Sequence, residues 1–130
     1  MKGRVSVIIC LVLTANLTVT AASSSPWAHV PAKDHARSNP VASQPKAIAA
    51  GALLYADDCT QCHQADARGD RRKKPSLRTE SVRTATDGDL EWFIHQGDLR
   101  HGMPSWSSLP QAQRWEIVAY LRSLQIGKLP

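Results

Sequence analysis

The pentapeptide Cys59-Thr60-Gln61-Cys62-His63 sets two thiols two residues apart and puts an imidazole directly after the second. That spacing suits addition of both sulfurs to the two vinyl groups of a haem while the histidine ligates its iron. Other uses of the pair fit less well. A structural zinc site needs about four protein ligands, and the only other cysteine, Cys10, stands in a leader-like stretch. Zinc on two cysteines and two histidines would need a paired histidine spacing that the remaining His residues lack. A thioredoxin-like dithiol belongs beside a βαβ pattern, whereas these flanks read as helix. A plain disulfide gives no reason for the adjacent His63. The motif therefore predicts one covalently attached haem, haem c, anchored through Cys59 and Cys62, with His63 on the metal.

Upstream, Ala47-Ile48-Ala49-Ala50-Gly51-Ala52-Leu53-Leu54-Tyr55-Ala56 favours helix through its alanine and leucine content and runs straight into the motif. Gly51 is out of place there. An interior glycine costs a helix about 1 kcal/mol relative to alanine, so it predicts a point where another backbone comes close. Downstream, Asp87 to Gln96 reads as a shorter helix, with Thr86 or Asp87 as N-cap, acids in its first turn and Gly97 as its stop. Arg114 to Leu124 sets Ile117, Val118, Tyr120, Leu121 and Leu124 on one apolar face. Pro110 suits its first turn and Gly127 lies just past its end. This last helix is the natural partner for Gly51. No segment sustains a period-two alternation, so the fold class is all-α. Roughly 80 residues in three helices make a thin core, and a covalently held apolar cofactor at the centre would supply much of the missing burial.

With 130 residues, 42% hydrophobic content and three cysteines, the chain is sized for one small domain and a leader. Lys2 and Arg4 form a charged start, Val5 to Leu13 an apolar run, and Ala21-Ala22-Ser23 a small-residue cleavage signal, so residues 1–22 read as a signal peptide. Export to the periplasm makes haem attachment and disulfides feasible. Left uncleaved, the same stretch would be an N-terminal membrane anchor. Cys10 follows bulky Ile9 and little apolar chain, so it reads as a leader residue and not a lipid site. Residues 23–46 are rich in Ser, Pro, Ala and Asn, and Pro26, Pro31, Pro40 and Pro45 interrupt every helix. They read as a disordered tether with Trp27, His29 and His35 as passengers, docking of Trp27 being the alternative. The folded domain then occupies residues 47–130.

From Ala47 to Gln125 the chain resembles class I cytochromes c, the small soluble single-haem family. Gly51 and Tyr55 match the glycine and aromatic that pack across the terminal helix in that family, facing Ile117 and Tyr120. The haem motif follows, then Pro75-Ser76-Leu77, then Gly102-Met103-Pro104, in the family's order. The resemblance implies a hydrogen bond from the second ring nitrogen of His63 to the Pro75 carbonyl, packing of Leu77 on the haem, and Met103 as the sixth ligand. Gln64, where a small residue is common, and the basic Arg71-Arg72-Lys73-Lys74 depart from the pattern. Met103 also stands out unaided. It is the only methionine after the initiator and sits in a turn-like segment, not on a helix face. A thioether opposite an imidazole favours reduced iron and raises the potential. His101 and His95 are its rivals.

Iron held by two protein ligands has no vacant position for substrate, so the expected role is outer-sphere electron transfer and not enzyme catalysis. The sequence carries no catalytic triad, phosphate loop or carboxylate pair, and its scattered Asp and Glu read as solvated faces. Trp92, Trp106 and Trp115 suit either a haem pocket or an ordinary core. Without Lys2 and Arg4 the 16 basic residues become 14 against 11 acidic, a net of +3. Arg68, Arg71, Arg72, Lys73, Lys74, Arg78 and Arg83 crowd one region. Such a patch can steer an acidic redox partner, or be a solvated loop; nucleic acid does not suit an exported protein. The predicted protein is a periplasmic shuttle between a dehydrogenase and a terminal oxidase or membrane cytochrome complex. Two alternatives stay open. One is a subunit of a quinoprotein-type dehydrogenase complex, which the stretch from Asp87 through Gly102-Met103-Pro104-Ser105-Trp106 to Arg114-Trp115 resembles. The other is a haem enzyme or gas sensor with an open iron position.

Overall fold

The helix leading into the cysteine motif, α2 (Pro45–Asp58), starts earlier than its alanine-rich run because Pro45 occupies the first turn, where its missing N–H costs nothing. The computed structural model describes residues 25–70 and 74–125. The leader and its cleavage site, Arg71 to Lys73, and Gly127 lie outside the described residues. α2 buries Ala47, Gly51 and Tyr55 on one face at four-residue spacing. A short turn, α3 (Thr60–His63), follows and carries the motif. α5 (Asp87–Gln96) opens on a capping box: the Thr86 hydroxyl accepts from the Asp89 N–H at 3.1 Å, and the Asp89 carboxylate accepts from the Thr86 N–H at 2.8 Å. α6 (Gln111–Gln125) begins at the Pro110 carbonyl, which accepts from the N–H groups of Gln113 and Arg114.

α2 and α6 meet at backbone contact. A Cβ built on Gly51 would stand 2.0 Å from the Glu116 carbonyl oxygen. Tyr55 and Tyr120 lie beside this crossing with ring centroids 5.3 Å apart. Tyr55, Leu90, Ile94, Trp115, Ile117, Val118 and Leu121 form the centre of the core. A short helix, α4 (Glu80–Thr84), is tied to α6 by Arg122, which donates to the Asp87 carboxylate at 2.7 Å and the Ala85 carbonyl at 2.6 Å. Among the described residues there is no strand, only an isolated bridge between Asp98 and Met103. The chain is all-α with three main helices, α2, α5 and α6, as the sequence predicts.

Two expectations need correction. Residues 25–46 are not a disordered tether. They form a 3-10 turn at Pro26–His29, a helical turn α1 (Ala32–His35) and an ordered run into α2. The prolines keep the helices short, yet long-range polar contacts stand in for apolar burial. Asn39 is buried and donates to the Trp115 carbonyl at 2.9 Å, and the Arg37 guanidinium lies 4.9 Å from the Trp115 ring centroid. Nor are all the acids solvated. Asp89 and Glu91 are 1% and 2% exposed, and Glu91 accepts from Arg37 at 2.9 Å and from Arg114 at 2.7 Å. A carboxylate so buried persists only when paired.

Gly51→Val must push the two helices apart. Overpacking typically costs about 1–3 kcal/mol, so a clear fall in the unfolding midpoint is expected. Leu53→Ala, on the exposed face of the same helix, should stay within about 0.5 kcal/mol of the parent. Thermal unfolding followed by circular dichroism compares them, and equal midpoints would show that the backbones do not meet at Gly51.

Candidate haem site

An apolar crevice of about 780 Å³ lies between the main helices. Its volume is in the range of pockets that take a sizeable organic group. α2 and its C-cap contribute Tyr55 and Cys59, α3 His63, α5 Leu90, Phe93 and Ile94, and α6 Ile117 and Leu121. Pro75, Leu77 and Met103 enter from loops. Of the six residues singled out for a haem, five line this one crevice. Cys62 is exposed and stands outside the lining.

The histidine side is fixed in layers. The Nδ1 of His63 lies 2.9 Å from the Pro75 carbonyl oxygen. Since a carbonyl only accepts, that bond puts the ring proton on Nδ1 and leaves the Nε2 lone pair free for a metal. The intervening loop is pinned by its own backbone: the Leu77 N–H donates to the Ala67 carbonyl at 2.8 Å and the Gly69 N–H to the His63 carbonyl at 3.0 Å. Gln125 and Arg78 then bind the loop to the end of α6, Gln125 donating to the Leu77 carbonyl and Arg78 to the Leu124 carbonyl. The Tyr55 hydroxyl donates to the Gln64 carbonyl at 2.9 Å, and burial raises the Tyr55 pKa. Burial, with smaller contributions from Asp58 and Cys62, pushes the Cys59 thiol up to about 12. The Cys59 sulfur thus sits among apolar atoms as a neutral group, an environment suited to a thioether.

Another part of the lining comes from the turn after α5. The Asp98 N–H donates to the Met103 carbonyl at 2.8 Å and the Met103 N–H returns to the Asp98 carbonyl at 2.9 Å. These bonds hold Met103 half-buried against the core. His101 lines the crevice too, but its side chain is 81% exposed and pairs with Asp98, whose carboxyl is held below its usual pKa mainly by that hydrogen bond. His95 faces a separate polar cleft with Arg37 and Glu91. Trp92, Trp106 and Trp115 do not line the crevice; Trp27 and Phe93 do. Trp27 had no local signal beyond being a large aromatic in a polar stretch.

The donor set fits haem c: an apolar cavity, a metal-ready imidazole, a half-buried thiol with a second, exposed one three residues on, and a thioether in the same lining. Covering the walls is favourable at about 25 cal/mol per Å² of apolar surface, so binding and folding reinforce each other. An all-α fold around this site defines a cytochrome c with covalently bound haem c. Residues 46–121 match the family described as cytochrome c oxidase, cbb3-type, subunit III, and the chain belongs to that family. Among curated relatives, the cbb3-type cytochrome c oxidase subunit FixP of Sinorhizobium medicae (strain WSM419) is 31% identical over 88 residues, covering 66% of this chain and 30% of that protein. FixP of Rhizobium meliloti (strain 1021) is 31% identical over 65 residues, covering 49% and 22%. This chain therefore spans less than a third of the length of these relatives. The crystal structure of cytochrome CL from the marine methylotrophic bacterium Methylophaga aminisulfidivorans MPT aligns with a TM-score of 0.57 at 28% identity, over 66% of this chain and 58% of that one.

Gln64, directly after the motif, adopts φ 64° and ψ 161°, a region that essentially only glycine occupies. Gln64→Gly should therefore raise the unfolding midpoint by the equivalent of about 1 kcal/mol while leaving the haem spectrum unchanged. Chemical denaturation of both proteins tests this, and a lower midpoint for the variant would mean that the glutamine side chain contributes more than its backbone costs.

Proposed function

We propose that this chain is an exported electron carrier in which His63 and Met103 ligate the iron of one haem c, attached through Cys59 and Cys62. The observation that carries the reading is the shared crevice, whose lining includes a metal-ready His63 and a half-buried Met103. Haem c supplies the one-electron chemistry when bound. The chain binds it, sets its ligands and limits water at its faces. The Pro75 carbonyl fixes the imidazole ring, and Leu77, in the lining, would pack on the haem. If His63 and Met103 both held the iron, no position would be left for a substrate, which supports a carrier and not an enzyme.

Export rests on the leader-like character of residues 1–22. No helix among the described residues is long and apolar enough to cross a membrane. The likeness to cbb3-type oxidase subunits favours a respiratory oxidase as the electron acceptor, with a dehydrogenase or membrane cytochrome complex as the donor. A second reading, a cytochrome module working inside a larger redox complex, is favoured by the greater length of the matched relatives. Stable co-purification with a large subunit separates it from a free shuttle.

Met103→Ala decides the ligand. The oxidised parent should show the weak far-red sulfur-to-iron charge-transfer band and should not bind carbon monoxide when reduced; the variant should lose the band and bind the gas. A band that survives the substitution would exclude Met103.

Among the described cations of the basic patch, Arg78 donates to the Leu124 carbonyl and Arg83 pairs with Glu80, while Arg68, beside Asp66, and Lys74, which donates to the Gln61 carbonyl, line the crevice. Cations there would face an acidic partner approaching the haem edge, through a field that salt screens over about 8 Å at physiological ionic strength. Replacing Arg71, Arg72, Lys73 and Lys74 together by glutamine should slow bimolecular electron transfer at low salt and flatten its salt dependence. Stopped-flow rates that match the parent at both low and high salt would remove the run from docking.

A further inference from the structure

We propose that Trp27 is a haem-contacting residue, held in the wall of the crevice by an N-terminal strap, residues 25–44, that is a permanent part of the domain. The proposal rests on the haem reading and adds to the site a residue from far outside the family-matched segment, which begins at residue 46.

Three observations place the indole. Its Nε1–H donates to Ser81, reaching the carbonyl oxygen at 3.1 Å and the hydroxyl at 3.0 Å. Its ring meets Phe93 edge-on, with centroids 5.4 Å apart and planes at 70°. Trp27 and Phe93 both line the crevice that holds His63 and Met103. A half-buried indole usually finds a partner for its N–H, and Ser81 supplies it while the rest of the ring stays available as apolar wall.

The strap is fastened where a loose tether could not be. At Gly88, in the first turn of α5, a Cβ would stand 1.8 Å from the Asp34 carbonyl oxygen, so the strap backbone lies directly on the helix. Just beyond that contact in both segments, His35 Nδ1 lies 2.8 Å from the buried Asp89 carboxylate, and Arg37 donates to the buried Glu91 at 2.9 Å. Asn39 closes the far end on the Trp115 carbonyl. Both acids belong to α5, the helix that also presents Phe93 to the crevice. The same helix thus anchors the strap and meets its tryptophan.

Haem potentials respond to burial and solvent exposure. Removing the indole admits water, which stabilises the more highly charged oxidised site and lowers the potential. The test compares the purified holoprotein with Trp27→Ala and Trp27→Phe. All three should keep haem through acid-acetone extraction, and the far-red band should be unchanged. Trp27→Ala should show a lower midpoint potential and severalfold faster reduction by dithionite, with Trp27→Phe between it and the parent. An unchanged potential and rate in Trp27→Ala would overturn the proposal, whereas free haem in the organic phase of the parent would overturn the haem reading instead. Hydrogen exchange in the parent is an independent check that needs no variant. The amides of Val30, Ala36 and Arg37, each bonded within the strap, should exchange slowly; exchange at the rate of an unstructured peptide would also overturn it.

Discussion

The bare Cα of Gly51 against the Glu116 carbonyl is the contact from which the rest of the structure is set out. It lets α2 and α6 cross without side chains between them, so the two helices are positioned by backbone shape and not by a compressible layer of packing. α2 ends at Cys59, and the Tyr55 hydroxyl, one turn earlier, holds the Gln64 carbonyl just beyond the motif. α6 ends where Gln125 and Arg78 hold the loop that carries Pro75 and Leu77. A single crossing therefore fixes both the cysteine motif and the carbonyl that orients His63. A shift of α6 along α2 would alter that hydrogen bond before it disturbed the core.

A second constraint is electrostatic. Glu91 is almost fully buried on α5 and receives one guanidinium from the strap, Arg37, and one from α6, Arg114. The desolvation cost of such a carboxylate makes the cluster a poor source of net stability, since a buried pair can be no better than an apolar replacement. What it imposes is geometry. Removing Glu91 would strand the buried Arg114 guanidinium, a kind of loss that typically costs about 3–5 kcal/mol, so the three segments are held to one mutual arrangement.

The parts of this molecule legible in the sequence are those whose signals are local. The haem motif is contiguous, the capping box of α5 spans Thr86 to Asp89, and Gly51 announces itself as an interruption in an alanine-rich helix. Even the bond between His63 and the Pro75 carbonyl follows once a short recognisable element is matched. The strap was not legible. Its prolines and sparse apolar content describe a chain with little to bury, and composition does not count hydrogen bonds to partners 54 or 76 residues away. Gly88 carries the same message as Gly51, but it sits in the first turn of its helix, where a glycine attracts no notice. For the same reason Trp92, Trp106 and Trp115 stood out as pocket candidates, whereas Trp27, which lines the crevice, read as a passenger.

The two walls of the crevice are built with unequal security. His63 is locked by a side-chain bond, a pinned loop and the end of α6. Met103 depends on a pair of backbone bonds to Asp98 and on the attachment of its loop to the end of α5, where the Ile94 carbonyl accepts from the Trp106 N–H and the His95 carbonyl from the Ser105 hydroxyl. α5 is thus loaded at both ends: the strap lies on its first turns through Gly88, Asp89 and Glu91, and the methionine loop hangs from its last. A helix of ten residues transmits displacement as a nearly rigid rod. Movement of the strap would reach the Met103 side of the crevice through α5, and the His63 side through the bond of Asn39 to α6 and through the direct run of the strap into α2.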